Sequence, residues 1–502
     1  MSVELRGITK SFGSLVANDA IDLKVEAGQI HAILGENGAG KSTLMNILFG
    51  LLQPDSGEIL IDGKPIQVNE PSDALTAGIG MVHQHFMLIP VFTVAENIVL
   101  GHEKIRGVGS LDLRDARTQI MEIAKRFNFE IDPDALIEEL PVGVQQRVEI
   151  IKALFFNAKI IILDEPSAVL TPQETDELLN VMRELKKQGK SIIFITHKLR
   201  EVQEVADEIT IIRRGKVVGK AKPTATQEEL ASMMVGRPVD LEVTKKPFTP
   251  GPVILKISDL KVTDNRGRAL VSEINFDVRA GEILAVAGVQ GNGQTELARA
   301  ILNLEPHIYG SITIDGKEIV GKTVNESLES GIAFVPESRE LDGLISSFSI
   351  AENLILDTFH SAPISKSGIL DLEKVRSNAE EYTKQFDVRL QSISDPASSL
   401  SGGNKQKVVL ARELTRPVKL LVASQPTRGL DVGSIEFVHE RILAERDSGR
   451  AVLLFSNELD EVMALADRIA VMYHGSIIDI VSPSVTRNEL GLLMAGVKGK
   501  SA

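Results

Sequence analysis

A glycine-rich turn followed by a lysine and a serine is the first part of the chain that could do chemistry. It runs from Gly35 to Ser42 as GENGAGKS and fits the phosphate-binding pattern G-x-x-x-x-G-K-[ST]. Glycines let backbone N–H groups wrap around phosphate oxygens. Lys41 can then reach the β- and γ-phosphates, and Ser42 can hold Mg²⁺. Because the turn stands between a predicted strand and a predicted helix, it indicates a nucleotide-phosphate site.

Two carboxylates and a histidine follow later apolar runs. Asp164 and Glu165 end the run Ile160–Leu163, where the first suits a role in organising Mg²⁺ and the second suits a base for an attacking water. His197 follows the run Ile192–Ile195. Taken alone, neither is diagnostic, because many buried strands end in an acid and a lone histidine is often structural. A further glycine-rich turn, Leu400–Asn404, precedes a predicted helix and forms a potential anion site.

The chain repeats itself, and the repeat places these residues in two copies of one unit. EAGQIHAILGENGAGKSTL from Glu26 matches RAGEILAVAGVQGNGQTEL from Arg279, an offset of 253 positions. The offset is 260 by Leu140 and Leu400, so the second copy carries seven extra residues. We therefore predict a first domain over 1–240, a proline-rich linker over 241–252 and a second domain over 253–502.

Within each copy, short apolar runs alternate with segments of helical spacing. Gln29–Leu34, Lys159–Leu163 and Ser191–Ile195 are predicted strands, whereas Gln145–Phe156 and Thr175–Gln188 are predicted helices. Strands that alternate with helices favour a mostly parallel sheet. The predicted fold class is therefore α/β.

Composition narrows the possible functions. The chain has 502 residues, a net charge of −14, 3 Tyr, no Trp and no Cys. An acidic chain that is poor in aromatic rings is a poor candidate for binding nucleic acid. Without cysteine, disulfides, thiolate metal sites and cysteine nucleophiles are excluded. The longest apolar runs are far shorter than the ~20 residues of a membrane helix, and the N-terminal residues MSVELRGITKSF have no apolar signal core. We expect a soluble, cytosolic chain that reaches a membrane only through a partner.

Together these motifs resemble those of the ATP-binding cassette (ABC) ATPases, and the resemblance covers nearly the whole chain twice. It implies two P-loop NTPase domains, each with a RecA-like parallel-sheet core, a helical subdomain and an antiparallel β subdomain. It also implies Mg²⁺ ligands at Ser42, Gln84 and Asp164, and catalytic roles for Glu165, His197 and Gln84. The implied ATP contacts are Phe12, which would stack on adenine, the Walker A residues Gly35, Glu36, Asn37, Gly38, Ala39, Gly40, Lys41, Ser42 and Thr43, and the signature residues Ser401, Gly402, Gly403 and Asn404.

The departures from the family pattern are unevenly distributed. In the second copy, the positions of Lys41, Gln84, Asp164, Glu165 and His197 are occupied by Gln294, Glu337, Ser424, Gln425 and Asn457. In the first copy the signature is altered instead, to Leu140-Pro141-Val142-Gly143-Val144, and Thr171 stands where the second copy has Asp431. The dimers that this family forms resemble a head-to-tail sandwich, in which the Walker motifs of one half face the signature of the other half. On that arrangement one composite site keeps every motif and the other loses every motif. Gly288, Gly293 and Thr295 leave nucleotide binding at the altered site open.

A tandem fusion without a membrane span resembles the ATPase subunit of an importer for nucleosides or simple sugars. The stretch from Ala423 to Asp431, ASQPTRGLD, looks like the nucleoside branch, as does LPVGVQQRVEI from Leu140. The resemblance implies two integral-membrane permease subunits, an extracytoplasmic substrate-binding protein and a peripheral position on the cytoplasmic side of the cell membrane. The alternatives are a soluble tandem-cassette translation factor, which usually has two competent sites, and a nucleotide sensor that does not hydrolyse ATP.

Overall fold

The chain forms two compact units, Met1–Val239 and Asp240–Ala502. The computed structural model describes residues 1–13, 15–83, 86–103, 105–106, 110–127, 129–167, 170, 172–239, 245–247 and 249–497. Each unit contains an antiparallel sheet, a larger and mostly parallel sheet, and a helical segment between two strands of the larger sheet.

The first unit alternates strands and helices along its length. Its strands are β1 Val3–Phe12, β2 Leu15–Val25, β3 Ile30–Leu34, β4 Ser56–Ile61, β5 Lys64–Ile66, β6 Ile79–Val82, β7 Ile105–Arg106, β8 Ser110–Leu111, β9 Ile160–Asp164, β10 Ser191–Ile195, β11 Glu208–Arg213 and β12 Lys216–Ala221. Its helices are α1 Lys41–Leu48, α2 Pro71–Thr76, α3 Val94–Val99, α4 Arg114–Arg126, α5 Val142–Phe155, α6 Pro172–Lys187, α7 Leu199–Val205 and α8 Gln227–Val235.

The larger sheet of the first unit has the strand order β12-β11-β3-β10-β9-β6, and only the edge strand β12 is antiparallel to its neighbour. Every residue of β3, β9 and β10 is buried. Such continuous apolar strands are typical of a parallel sheet covered on both faces. The carboxyl ends of β3, β9 and β10 lie at one edge, so the residues that follow these strands are brought together there.

The second unit repeats this plan. Its strands are β13 Val253–Thr263, β14 Ala269–Arg279, β15 Ile283–Ala287, β16 His307–Ile314, β17 Lys317–Glu318, β18 Ile332–Val335, β19 Ser365–Lys366, β20 Ile369–Leu370, β21 Leu420–Ser424, β22 Ala451–Ser456, β23 Arg468–Tyr473 and β24 Ser476–Val481. Its helices are α9 Gln294–Ile301, α10 Val324–Glu329, α11 Ile350–Leu354, α12 Leu372–Gln385, α13 Gly402–Leu414, α14 Val432–Asp447, α15 Leu459–Leu465 and α16 Arg487–Met494. The larger sheet has the order β18-β21-β22-β15-β23-β24.

The second unit has a distinctive turn after its strand β18. Between β18 and α11 the second unit contains a π-helical turn, Arg339–Gly343, in the region where the repeat offset begins to grow. The predicted α/β class is confirmed, and the strands and helices predicted from apolar spacing lie within a few residues of their observed bounds.

Candidate active site

The phosphate-binding turn of the first unit has the shape that its glycines require. Gly40 precedes α1 with a φ of 100°, in the left-handed region. A Cβ atom on Gly40 would lie 2.2 Å from the carbonyl oxygen of Ala17, so no larger residue fits there. The side-chain amide of Asn18 donates a hydrogen bond to the Gly40 carbonyl at 3.0 Å. The turn is thereby held against the first residues of β2.

Lys41 folds its side chain back across this turn. Its Nζ atom donates hydrogen bonds to the carbonyl oxygens of Gly35 at 2.8 Å and Glu36 at 3.0 Å, and the residue is only 6% exposed. The ammonium charge therefore lies inside the loop that the backbone N–H groups of Gly38, Ala39 and Gly40 help to form. Glu36, Asn37 and Thr43 complete the same turn and the start of α1.

Asp164 ends β9 next to this loop. Its Oδ1 atom is buried and has no hydrogen-bond partner, while the Ser42 hydroxyl hydrogen-bonds the carboxylate. Burial raises the pKa of Asp164, and the Ser42 hydrogen bond only partly opposes that effect. An unsatisfied carboxylate oxygen beside a serine hydroxyl is a set of hard oxygen donors of the kind that Mg²⁺ prefers. The residues present in the first unit fit a bound magnesium ion.

Glu165 and His197 meet across the ends of β9 and β10. The Nδ1 atom of His197 lies 3.3 Å from Oε1 of Glu165, and both side chains are largely buried. Burial acts to raise the pKa of Glu165, but the His197 hydrogen bond and the charges of His197, Lys41 and Lys198 outweigh it and hold the pKa below its ordinary value. Glu165 is therefore an ionised carboxylate beside the phosphate loop, as a base for water must be.

The structure describes Phe12, the residue expected to stack on adenine, but it does not describe Gln84. Phe12 is 47% exposed at the end of β1, with the Lys10 ammonium 5.8 Å from its ring centroid. An exposed ring of this kind is available for stacking on a base. Gln84 and Thr171 lie outside the described residues.

The signature turns of the two units are built differently. In the second unit Ser401 caps α13, and its hydroxyl accepts hydrogen bonds from the backbone and side-chain N–H groups of Asn404. In the first unit Pro141 stands at the same helix start and supplies no side-chain cap. A Cβ on Gly403 would lie 2.1 Å from the Ser434 hydroxyl, whereas one on Gly143 would lie 2.0 Å from the Glu174 carboxylate.

Glu174 is a residue that sequence reasoning missed. Its carboxylate is the group nearest to a Cβ on Gly143, whereas in the second unit the Ser434 hydroxyl is nearest to a Cβ on Gly403 and the Asp431 carboxylate lies farther away, at 3.4 Å. The repeat offset of 260 positions pairs Glu174 with Ser434, so comparing the copies beyond the named motifs would have found the difference.

At the equivalent edge of the second unit, uncharged groups form hydrogen bonds with one another. Nε2 of Gln294 lies 3.4 Å from Oδ1 of Asn457, and the Asn457 backbone N–H donates to Oε1 of Gln425 at 3.3 Å. Neither an ammonium nor a carboxylate stands at these positions. The residues that replace the catalytic set in the second unit therefore form hydrogen bonds with one another.

Two P-loop cassettes with the same strand order, one of them carrying a carboxylate and a histidine at its loop, define the class of protein. The chain belongs to the ABC transporter family, whose profile matches residues 18–168 and 271–428. It is an ABC ATPase, and it binds ATP.

The relatives share this organisation along their full length. The nucleoside import ATP-binding protein NupA of Lactococcus lactis subsp. cremoris is 50% identical, covering 98% of this chain and 98% of the relative. A glucose import ATP-binding protein of Haloferax volcanii is 43% identical, covering 98% of this chain and 96% of the relative. The archaeal ribosome recycling factor aABCE1, solved with the ribosomal stalk protein aP1, covers 98% of this chain with a TM-score of 0.66 and 19% identity, which shows a shared fold alone.

Proposed function

We propose that the chain is the ATP-hydrolysing subunit of an importer, and that it turns over ATP at one site, built on the first unit. The observation that carries this proposal is the pair of Glu165 and His197 beside Lys41, set against Gln425 and Asn457 in the second unit. A carboxylate can take a proton from water and an amide cannot, so the loss of a base costs typically 10²–10⁴ in rate.

Each of these residues of the first unit has a separate role in hydrolysis. Lys41 and the backbone N–H groups of the loop bind the β- and γ-phosphates, and Phe12 stacks on the adenine. Asp164, Ser42 and Gln84 would hold Mg²⁺, which would supply positive charge to neutralise the phosphates. Glu165 accepts a proton from the attacking water, and His197 holds the Glu165 carboxylate in place.

We also assign the signature residues of the second unit to ATP binding. The family resemblance implies ATP contacts at Ser401, Gly402, Gly403 and Asn404. The capped start of α13 supports this assignment, because the Ser401 side chain holds that turn whereas Pro141 supplies no side-chain cap in the first unit. The domain limits that go with it are 1–240, 241–252 and 253–502.

Among the described residues, no helix is long and apolar enough to cross a membrane. We assign two integral-membrane permease subunits, an extracytoplasmic binding protein and a peripheral position on the cytoplasmic face. Full-length similarity to import ATP-binding proteins at 50% and 43% identity supports this role over that of a translation factor.

We assign nucleosides as the transported substrate, with simple sugars as the second candidate. The more similar of the two relatives is named for nucleoside import and the other for glucose import. Uptake of radiolabelled uridine by cells that carry the complete transporter, with unlabelled nucleosides and sugars as competitors, separates the two. Competition by glucose or ribose, with none by nucleosides, would reassign the substrate.

The catalytic assignment is tested by one substitution in each unit. We expect Glu165→Gln to lower steady-state ATPase of the assembled transporter by about 10² or more, since it removes the base, while ATP binding is retained. The matched control is Gln425→Ala in the second unit, which should leave the rate nearly unchanged. Phosphate release above about a tenth of wild type in Glu165→Gln would disprove a single working site.

A further inference from the structure

In the second unit an arginine pairs with the carboxylate that lies beside the phosphate-binding loop. The Thr295 hydroxyl, which occupies the position of Ser42, donates a hydrogen bond to Oε2 of Glu337 at 2.8 Å. The other carboxylate oxygen of Glu337 accepts from the Arg428 guanidinium, which also forms an ion pair with it. Both oxygens of Glu337 therefore already have partners in the second unit.

The two units differ in the charge available for a metal ion. Asp164 offers a buried oxygen without a partner at the end of β9, whereas the end of β21 carries the neutral hydroxyl of Ser424. The one carboxylate near Thr295 that these contacts show is neutralised by Arg428. Mg²⁺ is held by carboxylate and phosphate oxygens and gives up its water reluctantly. The residues of the second unit do not fit it.

The loop itself is nevertheless preserved. Gly293 precedes α9 with a φ of 102°, matching the 100° of Gly40. The side-chain Nδ2 atom of Asn292, within the loop, is buried and has no hydrogen-bond partner, and an anion would give this donor an acceptor. The backbone cradle for phosphates is thus present while the metal site is not.

We propose that the second unit binds a nucleotide without a divalent cation, and that Arg428 supplies the positive charge that Mg²⁺ supplies in the first unit. Without Arg428 the Glu337 carboxylate would face the phosphates and repel them. The paired guanidinium removes that repulsion and leaves the loop able to hold an ATP anion.

The opposite outcome is chemically reasonable and is what the experiment must separate. A hydroxyl and a carboxylate are also metal ligands, so Mg²⁺ could displace Arg428 and bind between Thr295 and Glu337. Counting metal ions and nucleotides on the same sample distinguishes the two arrangements. The readout is binding of nucleotide and metal and not turnover. The arm in EDTA, where no Mg²⁺ is present to support hydrolysis, does not depend on the catalytic role assigned to Glu165.

The test uses the full chain with Glu165→Gln, so that bound ATP persists. With Mn²⁺ as the probe we expect two ATP molecules and one Mn²⁺ ion per chain, measured by radiolabel and electron paramagnetic resonance. In EDTA one ATP should remain, and photolabelling with 8-azido-ATP should then mark peptides of the second unit alone. Two Mn²⁺ ions per chain, or no nucleotide retained in EDTA, would overturn the proposal.

Substitutions test whether Arg428 is responsible for the metal-independent nucleotide binding. Arg428→Ala should weaken the EDTA-resistant binding roughly tenfold, which corresponds to 1.4 kcal/mol, and the added change Glu337→Gln should restore it, because no carboxylate is then left unpaired. Lys41→Ala should abolish only the Mn²⁺-dependent ATP. The double variant Ser424→Asp/Arg428→Ala should gain a second Mn²⁺ ion. If Arg428→Ala binds ATP in EDTA as the parent does, with an unchanged thermal melt, the role given to Arg428 is wrong.

Discussion

Glu165 shows how neighbouring charges and a hydrogen bond set the protonation of a largely buried base. Burial alone would raise its pKa, and the neighbouring histidine and lysines reverse that tendency. The carboxylate is therefore ionised at every pH above its ordinary value of 4.5. It follows that protonation of Glu165 does not limit activity in the neutral range.

We predict that His197→Ala moves the acid limb of the ATPase pH profile to higher pH. Removing the imidazole leaves burial as the larger influence on Glu165, so its pKa rises and the base becomes protonated at a higher pH. The profile of residual activity should be measured between pH 4.5 and 8, with His197→Gln as a control that keeps a hydrogen-bond donor. An acid limb in the same place for both variants and wild type would contradict this account.

The residues that the sequence identified lie close together along the chain, whereas the contacts that it missed join distant positions. Lys41, Asp164 and Glu165 belong to short patterns in which neighbours along the chain carry the chemistry. Arg428 and Glu337 are 91 positions apart, and each becomes meaningful only when the sheet brings β18 and β21 side by side. Glu174 likewise acquires its meaning from the packing of α6 against α5. No spacing rule along the sequence encodes such contacts.

At the scale of elements, the π-helical turn Arg339–Gly343 follows one side of α13. The Arg339 guanidinium lies against Gly402, with its NH2 atom 2.8 Å from where a Cβ would stand, and Glu340 pairs with Lys405 at 2.7 Å. The Arg412 side chain donates to the Gly343 carbonyl at 2.8 Å. Contacts three to seven residues apart along a helix hold one face of it, so this turn positions the helix that the signature begins.

We predict that Arg339→Ala lowers ATPase of the assembled transporter several-fold while leaving ATP binding by the first unit unchanged. The guanidinium donates to the Arg428 carbonyl at 2.8 Å and lies against Gly402, the first residue of α13. Its loss therefore frees the start of α13 and leaves the nucleotide loop of the first unit unchanged. The control is Arg376→Ala on the exposed face of α12, where the ion pair with Glu380 is open to solvent and worth little. Equal effects of the two substitutions would remove the positioning role.

At the scale of the whole molecule, the two units are unequal in the segment that follows the strands β6 and β18. The second unit has eleven positions from Glu337 to Phe348, against eight from Gln84 to Phe92 in the first. The extra length contains the π-helical turn, and Leu341 within it is 86% exposed. In the family resemblance this region receives the permease, so unequal segments favour two non-identical permease partners.

The absence of cysteine makes this prediction direct to test. Val91→Cys in the first unit and Ser347→Cys in the second occupy equivalent exposed positions in a chain with no other thiol. We expect each to crosslink mainly to a different permease subunit in membranes that contain the complete transporter. The unsubstituted chain is the control and should give no crosslink. Equal crosslinking of both positions to both subunits would show symmetric docking.

Glu165 and Gln425 share one backbone conformation, with φ of 45° and 48°, in a region that side-chain-bearing residues usually avoid. Each also donates its N–H to the end of the neighbouring strand, to Ile195 and to Phe455. The second unit has kept this costly bend although an amide there has nothing to deprotonate. The bend therefore belongs to the backbone that both units share, and the units differ there in whether the side chain ends in a carboxylate or an amide. The backbone at this bend does not distinguish the two units, and our assignment of hydrolysis to the first unit depends on the side chains alone.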